Sequence, residues 1–141
     1  MKNSKRTTLI AKGFILLSAF SLFSVSLMAY FDPQSVMRLV DVSLGNNDAL
    51  SSIRGVYGGV GTALFISLIY LVRRNVPLGL RLLCLIWGCY AFSRLLTIVA
   101  DGALGAFGQK WLLIESVFFG IALTLTLLLR GQRTPAVPAV A

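Results

Sequence analysis

The sequence predicts an all-α integral membrane protein: a four-transmembrane-helix antiparallel bundle with both termini in the cytoplasm. Three observations carry this. Four stretches, 10–30, 55–72, 82–100 and 111–129, are almost wholly apolar, and a helix needs about 20 such residues to cross the hydrocarbon core. Hydrophobic residues make up 57% of the chain and charged residues 13%, with a mean hydropathy of +0.84, which excludes an ordinary soluble domain. The charges are also segregated. Lys2, Lys5 and Arg6 precede the first stretch and Lys12 stands at its start, Arg73, Arg74 and Arg81 separate the second from the third, and Arg130 and Arg133 follow the fourth, with no acidic residue among them. Arg38, Arg54 and Lys110 fall in the alternate segments together with Asp32, Asp41, Asp48 and Asp101. That is the positive-inside pattern, so the net charge of +8 reports topology and not nucleic-acid binding. It also provides some attraction to anionic headgroups.

The chain reads as a basic cytoplasmic head (1–9), a membrane domain (10–130) and a short cytoplasmic tail (131–141). The first span is longer than a cleavable signal core and lacks a small residue three before a cut at Tyr30, so an uncleaved signal anchor is expected. Asp32-Pro33 ends that helix, because the residue before proline is pushed out of the helical region. Segment 34–44 mixes Val36, Met37, Leu39 and Val40 with Arg38 and Asp41; it is read as lying on the membrane surface, with an ambiguous period. Gly45-Asn46-Asn47-Asp48 reads as a turn, with Asp48 or Ser51 as the cap of the second helix. Val76-Pro77-Leu78-Gly79 is expected to form the inner hairpin, Asp101-Gly102 to stop the third helix, and Gly105 and Gly108 to keep the last outer turn loose. The tail, with Pro135 and Pro138, is expected to be disordered. Tyr30, Tyr57 and Trp111 near outer ends and Tyr70 near an inner end suit the headgroup level.

Beyond Lys12 at the start of the first, two charges break the apolar stretches. Arg94 lies seven residues before Asp101 and Glu115 five after Lys110, which places both roughly 8–10 Å below the outer surface at 1.5 Å per residue. A short turn makes the third and fourth helices antiparallel neighbours, so the two side chains are expected to form a buried ion pair. An unpartnered charge at that depth costs about 2.5–3.5 kcal/mol or more. On the third helix Trp87, Tyr90, Arg94, Thr97 and Asp101 share a face by three-and-four spacing. With Arg54 and Tyr57 at the start of the second helix, the set Arg54, Tyr57, Tyr90, Arg94, Asp101 and Glu115 is a candidate polar recess open to the outer face. The same residues are also consistent with a purely structural clamp.

Arg54-Gly55-Val56-Tyr57-Gly58-Gly59-Val60-Gly61 is the other distinctive string. Gly55 and Gly59 form a small-xxx-small pair, and Gly58 and Gly61 widen the groove, so close helix packing is expected, with a glycine-lined ligand cleft as the alternative. The string lacks the Lys-Ser/Thr of a phosphate loop. Cys84 and Cys89 are five apart on one helix, about 140° around it, and cannot pair. No histidine is present, which removes the commonest general base and metal ligand. No catalytic residue, metal site or cofactor is expected. Acid–base chemistry would have to rest on Asp101 or Glu115, with no nucleophile beside them.

Arg54-Gly55-x-Tyr57-Gly58-Gly59, Arg94 followed by Asp101-Gly102, and Glu115 together resemble the small bacterial membrane proteins grouped as domain of unknown function family 4345. The likeness runs from about residue 10 to 129. Ser93 and Leu104 stand where glycine and proline are expected, and the charged positions match. The resemblance implies the fold and a bacterial inner-membrane location, and no activity. The functional expectation is a structural or partner-binding membrane subunit, held in the lipid bilayer and associating with another membrane protein or with itself. The alternative is a small carrier or binder of a lipid, quinone or small anion. A pocket larger than about 300 Å³ reaching Arg94 would favour the binder.

Overall fold

A computed structural model describes residues 2–131. It is helical throughout, with no strand among the described residues. The helices are α1 (Lys2–Phe31), α2 (Pro33–Arg38), α3 (Asn47–Ile53), a π-helical segment (Arg54–Val60), α4 (Gly61–Arg74), α5 (Val76–Asp101) and α6 (Ala106–Gly131). α3, the π segment and α4 form one continuous rod, Asn47–Arg74. With Ser4–Phe31, Val76–Asp101 and Ala106–Gly131 it is one of four helices long and apolar enough to cross a membrane. The chain is therefore a multi-pass membrane protein. Gly131 closes α6, and the tail expected to be disordered lies beyond it, outside the described residues.

The helices are longer than the apolar stretches alone indicate, and two of them start at an asparagine cap. Asn46, and neither Asp48 nor Ser51, caps the second rod: its side chain accepts from Ala49 N–H at 2.8 Å. The expected hairpin at Val76–Gly79 is in fact the first turn of α5. Asn75 alone, at φ −153° and ψ 79°, separates α4 from α5, and its side chain accepts from Leu78 N–H at 3.2 Å. Pro77 fits the first turn, where a backbone N–H has no helical partner in any case. Gly108 likewise lies inside α6. Gly102 does stop α5, at φ +102°, where only glycine is unstrained. α1 ends at Phe31, and Asp32 turns the chain by capping α2 from its side chain to Ser35 N–H.

α1 packs along α4 and the π segment, α5 packs along α6, and α1 also meets both α5 and α6. This central position explains why α1 buries small residues: Ala11, Ser18, Ala19, Ser26 and Ala29 are fully enclosed. Without a hydrophobic driving force between helices in lipid, small side chains that let backbones approach supply the packing. The half of the bundle containing the α4–α5 junction is filled by Ile15, Leu68, Leu80, Leu83 and Ala122, all fully enclosed. Phe14, Trp87 and Phe118 close that core with edge-to-face contacts at 5.5 and 5.0 Å. Large apolar residues such as Val99, Phe31, Leu113 and Leu85 face outward, as a lipid-facing surface requires.

Candidate functional site

The other half of the bundle is not filled. A cleft of about 490 Å³ opens there, with walls from all four spans and from the segment beginning with α2. α1 contributes Ser21, Leu22 and Val25; the second rod contributes Val56, Tyr57, Val60, Gly61 and Leu64. α5 contributes Trp87, Tyr90, Ser93 and Arg94, and α6 contributes Phe107, Trp111 and Glu115. Val36, Met37, Leu39 and Val40 close one side.

Arg94 and Glu115 meet in this cleft. Arg94 donates from Nε to Glu115 Oε2 at 2.6 Å and from Nη2 to Oε1 at 2.9 Å, a fork-to-fork pair. The third guanidinium nitrogen makes no hydrogen bond to another described residue. The carboxylate side chain is 4% exposed and the guanidinium side chain 24%, so the arginine is the half of the pair that the cleft reaches. Equal depth on antiparallel neighbours makes the match possible. Arg supplies two parallel donors that Lys could not.

Of the six residues expected in the recess, Tyr57, Tyr90, Arg94 and Glu115 line the cleft, while Arg54 and Asp101 do not. Arg54 is used elsewhere: its Nε donates to Tyr30 O at 3.2 Å, satisfying a carbonyl in the last turn of α1. Asp101 is the exposed final residue of α5, seven residues and so about 10 Å beyond Arg94, and its side chain is not among those that line the cleft. Thr97, on the same face by spacing, returns its hydroxyl to Ser93 O at 3.0 Å. Neither phenol hydroxyl of Tyr57 or Tyr90 makes a hydrogen bond to another described residue.

The glycine face is also corrected. A Cβ at Gly55 or Gly59 would meet nothing within 4 Å, so this small-xxx-small pair makes no close approach. Gly58 and Gly61 do. A Cβ on Gly58 would lie 2.7 Å from Tyr30 Cε1, and one on Gly61 would overlap Ser26 Oγ. Both members of the Gly55–Gly59 pair face away from the neighbouring helices, whereas Gly58 and Gly61, three apart, face α1. The π-helical segment Arg54–Val60 also contributes Val56, Tyr57 and Val60 to the cleft wall.

Sequence reasoning missed the contributions of α2 and of Phe107 and Trp111. The second had a signal: Phe107, Trp111 and Glu115 are spaced by four and share one face of α6. Phe107 and Trp111 rings stand 6.0 Å apart, as Trp87 and Tyr90 do at 6.1 Å. Trp87 belongs to the filled core as well as to the cleft, so it forms the floor between the two halves; its Nε1–H donates to buried Ser18 Oγ at 3.4 Å. Cys84 and Cys89 are both free thiols away from the cleft.

No curated protein and no solved structure shows significant similarity to the chain. The sequence does match the family described as "Domain of unknown function (DUF4345)" over residues 10–126, and the chain belongs to that family.

Proposed function

We propose that this membrane protein binds a membrane-dissolved amphiphile in the four-span cleft, and that the ligand has a planar, neutral head that accepts hydrogen bonds, a quinone ring being the class that fits best. The observation that carries this reading is the cleft itself: about 490 Å³ of space with Arg94 in its wall. That lies within the range of roughly 300–1,000 Å³ typical of small-molecule sites. A protein that served only as a packed subunit has no need for a cavity beside its one intramembrane ion pair.

Three features select the head. Glu115 already neutralises Arg94, so an added anion would meet a pair of net charge zero, and Arg54 is not there to supplement it. The free groups are donors: the two phenols of Tyr57 and Tyr90 and the remaining guanidinium nitrogen. Five aromatic rings in the wall, Tyr57, Trp87, Tyr90, Phe107 and Trp111, offer faces to a flat ligand. Apart from Ser21, Gly61 and Ser93, the rest of the lining is aliphatic side chains and Met37, which suit an isoprenoid or acyl tail.

The chain has two tryptophans, and both line the cleft. Intrinsic fluorescence therefore reports occupancy. Titrating the detergent-solubilised protein with a short-chain benzoquinone should give saturable quenching at one equivalent. Val60→Phe, which fills the cleft, should abolish the saturable part. Linear, unsaturable quenching, equal in both proteins, would reduce the cavity to a packing feature beside a structural clamp.

A further inference from the structure

A second pocket lies at the opposite end of the bundle, where α1 begins, α4 hands over to α5 and α6 ends. It measures about 510 Å³, and its polar lining comes from Ser4, Thr8, Lys12, Arg73, Arg74 and Asn75. Three cations from two separate helices thus converge on one space. All five acidic residues of the sequence, Asp32, Asp41, Asp48, Asp101 and Glu115, lie in other segments, and none lines this pocket. Among the described residues the ion pairs are Arg38–Asp32 and Arg94–Glu115, so Lys12, Arg73 and Arg74 have no carboxylate partner. All three side chains are exposed to solvent, so the positive charge gathered there is open to an anion from outside.

Neutral donors are present too. The Asn75 carboxamide oxygen accepts from Leu78 N–H, leaving its NH2 group for a ligand. Val76, Pro77 and Leu129 supply an apolar border. A charged centre with an apolar edge, at the end of four membrane-spanning helices, has the layout of a phospholipid at the bilayer surface. Basic pockets between transmembrane helices recognise headgroups in this manner.

We infer that Lys12, Arg73, Arg74 and Asn75 form a binding site for a phosphate anion presented by the headgroup of an anionic phospholipid. This site is separate from the aromatic cleft and does not depend on the reading given to that cleft.

The test is native mass spectrometry of the full-length protein in detergent with equimolar phosphatidylglycerol and phosphatidylcholine. Each cation near an anionic headgroup contributes roughly a fivefold preference, so the wild type should retain phosphatidylglycerol over phosphatidylcholine by at least about tenfold. Lys12→Gln with Arg73→Gln and Arg74→Gln should bring the ratio close to one. Lys5→Gln with Arg81→Gln, basic residues near the same end but outside the pocket, should leave it unchanged. No preference in the wild type overturns the proposal whatever the variants do. So does an equal loss in the control, which would reduce the effect to diffuse surface charge. Millimolar inorganic phosphate should not displace the lipid; displacement would overturn the lipid as the source of the phosphate.

Discussion

Replacing Arg94 with alanine should cost the fold more than replacing Glu115, although both substitutions break the same pair. The asymmetry follows from burial. Arg94→Ala strands a carboxylate whose side chain is only 4% exposed. Orphaning one partner of a buried pair costs about 3–5 kcal/mol, and protonation of the stranded carboxyl sets the ceiling on that loss. Glu115→Ala strands a guanidinium that is 24% exposed on a flexible stem reaching the cleft. Its cost should fall between the ranges for surface and buried pairs, about 1–3 kcal/mol. The double alanine variant has no orphan charge, so its loss should be smaller than the sum by about 1–3 kcal/mol. Arg94→Lys keeps the charge but loses the fork geometry, and should fall between wild type and Arg94→Ala. Equilibrium unfolding of the detergent-solubilised protein with increasing sodium dodecyl sulfate, read as folded fraction, measures all four. Additivity of the single losses to within about 0.5 kcal/mol would refute the coupling, and a greater loss for Glu115→Ala than for Arg94→Ala would refute the burial argument.

The glycines make a sharper contrast than their sequence pattern implies. Gly58→Leu and Gly61→Leu should lower the yield of folded protein severely, because each side chain would enter α1 at Tyr30 or Ser26; Gly55→Leu and Gly59→Leu should express like wild type, and equal sensitivity at all four would mean that Gly55 and Gly59 also face a neighbouring helix. Asn75→Ala should cost about 1 kcal/mol by removing the cap on α5, seen as a lower unfolding midpoint, whereas no change would show that the tight α4–α5 joint does not depend on the cap. For topology, reporter fusions at Ala141 and Asn46 should read inside and outside respectively; an outside signal at Ala141 would overturn the charge-segregation argument.

The architecture was legible because the bilayer limits the options. Four apolar stretches can only become helices in lipid, and the two charges inside them had to find each other. Helix boundaries were less legible. Apolarity marks where a helix enters hydrocarbon, whereas Asn46 and Asn75 start their helices in polar segments that hydropathy cannot read. Asp101 was drawn into the recess by spacing on an ideal α-helix and Arg54 by its place at the start of the second helix, and neither reports that Tyr30 O offers Arg54 a partner or that Asp101 stays exposed outside the cleft lining. Gly55 and Gly59 failed because a small-xxx-small spacing does not say which side of the helix meets a neighbour. The wall supplied by α2 depends on how the chain folds back after Asp32, where Gln34 ties the loop by accepting from Leu44 N–H and donating to Val42 O. Those two hydrogen bonds span eight and ten residues, and no local motif encodes them.

The central claim is that the aromatic cleft beside Arg94 is a ligand site, and nitrogen-15 NMR of the protein in nanodiscs tests it most directly. The two indole N–H signals of Trp87 and Trp111 and the Arg94 Nε–H signal all come from groups at the cleft wall. On titration with a short-chain benzoquinone the three should shift together along one saturating curve with a single Kd, while arginine signals from Arg73 and Arg74 at the far end stay fixed. If Trp87 and Arg94 do not move, or if every arginine and tryptophan signal drifts alike without saturating, the ligand is dissolving in the membrane and the cleft does not bind it.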